Sequence, residues 1–332
     1  MTKKIIITLI LFYFLFYFSG CAANNNLSHK TINHGYTQDF PSSSYITAHA
    51  GGKTLTDAMM QAKAEIAGMF ESRIMSDLSS RAESVIDRSG NESFSKTVKT
   101  NIQIVSCAKI QGMEIKKTWF DKNSGTWHAL AVLDRHKSKS IWDQEIEEID
   151  SKIKALLNTK KTSDIVRLVS LKKIAKLWIA RESVAIRLKI AGFSDSGFKD
   201  FDIRQFFDEL TAVHSGLRIY IQITGDKHKI IKEYISQAFS AKGFVLTDNR
   251  EDADTFITGT SNVGPVQIQR RDNVKFARAE ILLTITDLYG NKVLEIVKNK
   301  RAAHQNYDEA AYKAVKKCSE IIAGEACNLN IE

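Results

Sequence analysis

Apolar residues along this chain fall into three patterns: one long run, several helical stripes, and stretches of alternation. The run comes first, from Ile5 to Phe18 behind Lys3 and Lys4, and at about 14 residues it is too short for an ordinary transmembrane helix. The first stripe is Leu55, Ala58, Met59, Ala62, Ile66, Met69, Phe70, Ile74, Leu78, Ala82 and Val85, which predicts a long helix burying one face. Thr54 followed by Asp57 suits its start. A short strand, Tyr45 to Ala50, precedes it, and alternation comes after it: Ile102, Ile104, Ala108 and Ile110, then Met113, Ile115 and Trp119 after a register shift at Gly112 that reads as a bulge. Asp121 to Gly125 is a turn, and Trp127, Ala129, Ala131 and Leu133 alternate again. These elements sum to a β-α-β-β unit, one helix on an antiparallel sheet.

Ile141 to Leu157 and Ile165 to Ile190 continue as helices, the second with a strong excess of Lys and Arg. Gly192 to Gly197 breaks the pattern, and Phe201, Phe206, Phe207 and Leu210 mark a short amphipathic helix. Beyond it a strand at Leu217 to Ile223, a helix at Lys227 to Lys242 stopped by Gly243, strands near Phe244 to Leu246 and Ala253 to Gly259, a hairpin around Tyr289-Gly290-Asn291, and a helix at Tyr307 to Ala323 give the order β-α-β-β-β-β-α. The fold class is therefore α+β: two small two-layer modules joined by a helical segment. The boundaries fall at 1–20 for a signal peptide, 21–43 for a tether, 44–137, 138–213 and 214–324 for the two modules and the connector between them, and 325–332 for a tail.

Composition adds little until the N-terminus is considered. The 332 residues carry a formal charge of +9, and losing Lys3 and Lys4 leaves +7, an excess concentrated in the 165–190 helix. That helix makes Lys172, Lys173, Lys176 and Arg187 candidate contacts for an anionic surface, a membrane or a cell-wall polymer, while the plainer reading packs its apolar face on a neighbour and leaves its lysines in solvent. Nucleic acid is not an expected partner for a protein outside the cytoplasm.

The apolar run ends in Phe18-Ser19-Gly20-Cys21, which resembles the lipobox that directs acylation of, and cleavage before, a cysteine; Phe18 stands where leucine is usual. The expectation is a lipoprotein acylated at Cys21, with the Asn-, Ser- and Thr-rich stretch Ala22 to Ser44 as a flexible tether. Ala22, in place of an aspartate, favours the outer membrane, facing the periplasm. In that oxidising compartment Cys318 and Cys327 are candidates for a disulfide, and Cys107 reads as a small buried hydrophobe.

No catalytic fingerprint is present. Gly51-Gly52-Lys53-Thr54 between strand and helix imitates a phosphate loop, but that motif needs a glycine at position 47, which is Thr47. The eight histidines are scattered; His49 and His128 are the pair that neighbouring strands could unite, and a hydrogen-bonded surface role suits them better than a metal site. Catalytic residues, cofactor and metal are expected to be none, and the chain is not expected to be an enzyme.

The stretches DAMMQAKAEIAGMFESRI and IQGMEIKKTWFDKNSGTWHALAVLDR, ending in Asp134-Arg135, resemble the LPP20 lipoprotein family and the N-terminal domain of flagellar assembly protein T over about 90 residues. The segments ADTFITG, AEILLTITDLYGNKVLEI and DEAAYKAVKK resemble a domain of flagellar assembly protein T, the curli secretion channel and the N-terminal part of TolB. The resemblance implies a non-enzymatic accessory lipoprotein working through protein partners in envelope or flagellar assembly. A cell-wall-binding regulator of peptidoglycan synthesis and a secretion-channel subunit are the alternatives.

Overall fold

The computed structural model describes residues 39–329 except 90–98, 104–109, 161–162, 196, 199–201, 228 and 268–273, and for 81–89 and 204 it describes the backbone alone. The signal peptide, Cys21, most of the tether and Cys107 lie outside the described residues. Ser43–Glu332 forms one compact unit.

The first layer has three antiparallel strands, β1 (Tyr45–Gly52), β2 (Met113–Asp121) and β3 (Thr126–Asp134), in the order β1-β3-β2. Helix α1 (Leu55–Ser89) packs on the face that carries Ala48, Ala50, Ala129, Ala131 and Leu133. Small residues there let the helix lie close to the sheet. Gly52 makes the sharp entry possible, because a Cβ on it would sit 2.6 Å from the Ala58 nitrogen and 2.8 Å from the Asp57 Cβ. As expected, Thr54 starts the helix: its hydroxyl accepts from the Asp57 amide and donates to the Asp57 carboxylate.

The buried stripe of α1 is Ala58, Ala62, Ile66, Phe70, Ile74 and Leu78, a spacing of four throughout. Each step of four turns the buried direction by about 40°. The stripe therefore winds around the helix, which meets the sheet at its start and later helices at its end, where Asp77 pairs with Lys189 at 3.8 Å. Met69, expected to face inward, falls off this winding stripe and is 49% exposed. The alternation expected from Ile102 is corrected at its start, where residues 99–103 are helical, while 104–109 lie outside the described residues; β2 begins at Met113. Gly112 sits in the preceding turn at φ +84, and the irregularity in β2 falls between Ile115 and Lys117.

Asp134-Arg135 joins this layer to the helical middle of the chain. The Asp134 carboxylate accepts from the Lys137 amide and caps α2 (Arg135–Asn158). The Arg135 guanidinium donates to the Tyr45 carbonyl and, at 3.1 Å, to the Ile190 carbonyl at the end of α3 (Asp164–Ile190), where a cation complements the helix dipole. Helices α2 and α3 lie against each other, and α4 (Ile203–Gly216) packs on α3.

The second layer is a five-stranded sheet of order β5-β4-β6-β7-β8, from β4 (Arg218–Thr224), β5 (Val245–Thr247), β6 (Thr255–Pro265), β7 (Lys275–Asp287) and β8 (Lys292–His304). β4 runs parallel to β5 and β6, and the remaining pairs are antiparallel. Helices α5 (Ile230–Ala241) and α6 (Tyr307–Ala326) cover the face bearing Ile219, Ile221, Ile257, Ile281, Leu283 and Ile285. The other face carries the exposed Gln222, Thr258, Thr260, Asn262, Glu280 and Val297. β8 forms one edge over 13 residues and bears Lys292, Lys298, Lys300 and Arg301. The α+β class and the expected element order of this module hold, and a single apolar core runs from Ala48 to Leu329.

One buried carboxylate ties α3 to this sheet. Asp287 accepts from the backbone amides of Tyr289 and Asn291 and the Asn291 side chain, which fixes the β7–β8 turn. It also accepts from the Ser163 hydroxyl at 3.0 Å, one residue before α3. Burial works to raise its pKa, but the donors from Asn291, Ser163 and Tyr289 hold it below the usual carboxylate range.

Candidate functional site

Strand pairing brings together three flat side chains on the face of the first sheet turned away from α1. His128 on β3 is the direct partner of Trp119 on β2 and of Gly51 on β1, while His49 stands two residues before Gly51. Gly51 leaves the place opposite His128 empty, since a Cβ there would lie 3.3 Å from the imidazole. The His128 ring therefore reaches diagonally across to His49, and His49 Nε2 and His128 Nδ1 stand 3.1 Å apart. Ring centres are separated by 5.0 Å for His49–His128, 5.1 Å for His49–Trp119 and 5.2 Å for Trp119–His128, with planes within 21° of parallel. A hydrogen bond between the facing nitrogens has one ring donating and the other accepting, as their tautomers decide. The expected meeting of His49 and His128 on neighbouring strands is thus found, and Trp119 is the member that sequence reasoning missed. In sequence Trp119 stands in one alternation with Met113 and Ile115, but the irregularity between Ile115 and Lys117 reverses the parity and turns Trp119 to the face of His128.

The basic candidates are distributed differently from expectation. Helix α3 is an interior helix, and Arg187 on it is 5% exposed, its guanidinium 3.5 Å from Glu145 on α2. Burial lowers the Arg187 pKa. Lys172 lies with its ammonium 5.2 Å from the centre of the Phe244 ring, and burial, followed by repulsion from Lys242, lowers its pKa to about 8. Arg187 is therefore withdrawn from any membrane or polymer surface, and Lys172 is half-buried beside Phe244. Lys173 is half-buried and Lys176 exposed, so the four do not form one basic face. The same helix buries Arg181 at 1% exposure, with Asp150 on α2 at 2.8 Å and Asp195 held by both terminal nitrogens at 2.8 and 3.2 Å. Much of the positive charge along α3 thus serves to join helices.

Near Lys172, the ring of His214 on α4 packs on Phe244 with centres 4.2 Å apart. Its Nδ1 is buried without a hydrogen-bond partner, and burial, then the neighbouring Lys172, pushes its pKa down to about 4.

The expected Cys318–Cys327 disulfide is corrected. Cys318 lies in α6 and Cys327 caps its end, so nine residues of helix separate them by about 13 Å along the axis, whereas a disulfide needs Cα atoms within about 7 Å. Both thiols are free and buried, Cys318 donating to the Lys298 carbonyl and Cys327 to the Gly324 carbonyl. Burial raises both thiol pKa values.

No helix among the described residues is long and apolar enough to cross a membrane. No family model and no curated protein matches the chain, so the likeness to LPP20 proteins rests on the residues that suggested it. Solved structures similar to this chain include a secreted protein of Helicobacter pylori, 12% identical, with a TM-score of 0.44 over 86% of this chain and 99% of that one. A minor lipoprotein of Acinetobacter baumannii is 12% identical, with a TM-score of 0.26 over 35% of this chain and 91% of that one. A lipoprotein of Neisseria meningitidis is 16% identical, with a TM-score of 0.20 over 32% and 98%. Likenesses at these scores carry no inference about what the chain does.

Proposed function

We propose that this chain is a lipid-anchored, non-enzymatic accessory protein of the bacterial envelope, acylated at Cys21, held on the outer membrane facing the periplasm, and acting through protein contacts in envelope or flagellar assembly. The observation that carries the reading is the order Lys3-Lys4, apolar run, Ser19-Gly20-Cys21 and polar stretch, all ahead of a compact body that begins at Ser43. Two or more acyl chains make such an anchor stable, since each buried methylene contributes about 0.8 kcal/mol. The body supports a role in presentation: each sheet has a face turned away from its covering helix, one bearing the His49, Trp119 and His128 rings, the other a polar, threonine-rich surface. The LPP20-like and flagellar resemblance of the first module points the same way. Recognition of the cell wall through α3 is the weaker reading, because Arg187 is buried and Lys172 is half-buried against Phe244.

The test is metabolic labelling with radioactive palmitate in the native host. The wild-type chain takes the label and fractionates with the outer membrane, and Cys21→Ser loses it. Labelled Cys21→Ser, or an unprocessed wild-type chain in the cytosol, overturns the anchor. Cross-linking of the anchored protein in cells then tests the partners: envelope or basal-body proteins support the accessory role, and exclusive capture of peptidoglycan overturns it.

A further inference from the structure

We propose that His49 and His128 form a surface site for a divalent first-row transition-metal ion, Cu(II) above the others, with water in the remaining positions. An ion about 2.0–2.1 Å from each imidazole nitrogen, at the roughly 90–110° angles of square-planar or tetrahedral geometry, sets those nitrogens about 2.9–3.4 Å apart. The 3.1 Å between His49 Nε2 and His128 Nδ1 lies inside that interval. Two imidazoles meeting at one ion also bring their ring centres to about 5 Å, and the separation here is 5.0 Å. Several features of the sheet hold this spacing. Antiparallel register fixes the two backbones, Gly51 opens the path for the His128 ring, and Trp119 stacks along both imidazoles.

No third His, Cys, Asp or Glu joins them among the described residues, so the site offers two nitrogens and leaves the rest of the coordination sphere to solvent. That ligand set orders the ions by intrinsic affinity, Cu(II) above Ni(II) and Zn(II). Binding needs no net loss of a proton. The hydrogen between the two nitrogens moves to the opposite nitrogen of the ring that donated it, which leaves both facing lone pairs for the ion. The ion keeps its oxidation state throughout.

The experiment is titration of the chelator-treated full chain with CuCl2, followed by calorimetry, by quenching of tryptophan fluorescence and by electron paramagnetic resonance. The wild-type protein shows one site with two equatorial nitrogens, and ZnSO4 binds there more weakly. His49→Asn and His128→Asn each lose one nitrogen signal and weaken that site at least about tenfold, because the second imidazole no longer acts at high local concentration. Their melting temperatures in the absence of metal report whether the fold is kept. Should one variant fail to fold, the other decides. Copper binding that is the same in wild type and in a folded variant, or a wild-type spectrum with fewer than two nitrogens, overturns the proposal.

Discussion

Ionisable side chains in this protein matter most where they are taken out of water. Arg181 sits among Asp150, Glu182 and Asp195, and removing this buried cation would leave three carboxylates crowded together without their partner. His214 is the opposite case, a buried ring with an unpartnered Nδ1 beside Lys172. The unfolded chain binds a proton at this residue near pH 6.5, whereas the folded one resists until about pH 4. Acid therefore favours unfolding across that window, and between pH 7 and pH 5 the protein loses about 2 kcal/mol on this account. Chemical denaturation at the two pH values checks it: the loss shrinks in His214→Phe, and an equal loss in both proteins refutes the assignment. Such environments are only partly legible in a sequence. His49 and His128 were foreseeable because strand parity put both on outward positions. Asp150 and Asp195, two partners of Arg181, lie 31 residues before it and 14 after it, on segments whose mutual rotation no periodicity specifies.

At the level of elements, pattern and turn chemistry carried most of the information. The β-α-β-β and β-α-β-β-β-β-α orders follow from alternation, helical stripes and glycine stops. The failures have physical causes. The apolar spacing that begins at Ile102 is too short to tell a helix from a strand, and residues 99–103 are helical. The basic excess of α3 suggested a surface helix, because charge on a helix is usually solvated; here neighbouring carboxylates allow part of it to be buried. Gly51-Gly52 invited a phosphate-loop reading, yet each glycine answers a local steric demand, Gly51 toward His128 and Gly52 toward the first turn of α1. Gly52→Ala thus destabilises by about 1–3 kcal/mol, the range for overpacking against backbone that cannot yield. Urea denaturation measures it, and an unchanged midpoint contradicts the close approach of strand and helix.

For the molecule as a whole, the helical middle is the mechanical centre. Arg135 fastens the first sheet to the end of α3, and Ser163 with Asp287 fastens the beginning of α3 to the second. The long outer strand β8 has a further consequence. A 13-residue edge strand is a template on which another chain can build, a hazard that grows with the local concentration of the chain. Lys292 pairs with Glu295 and Lys298 with Glu325, and with Lys300 and Arg301 beside them the edge keeps a net positive charge, so two such strands approaching side by side repel. Replacing Lys298, Lys300 and Arg301 together with threonine is expected to leave the monomer folded but to promote concentration-dependent association, read by light scattering and thioflavin fluorescence; a triple variant that stays monomeric removes this role from the strand. The basic residues of β8 thereby act as a guard against self-assembly, keeping neighbouring copies of the chain apart where their edges meet.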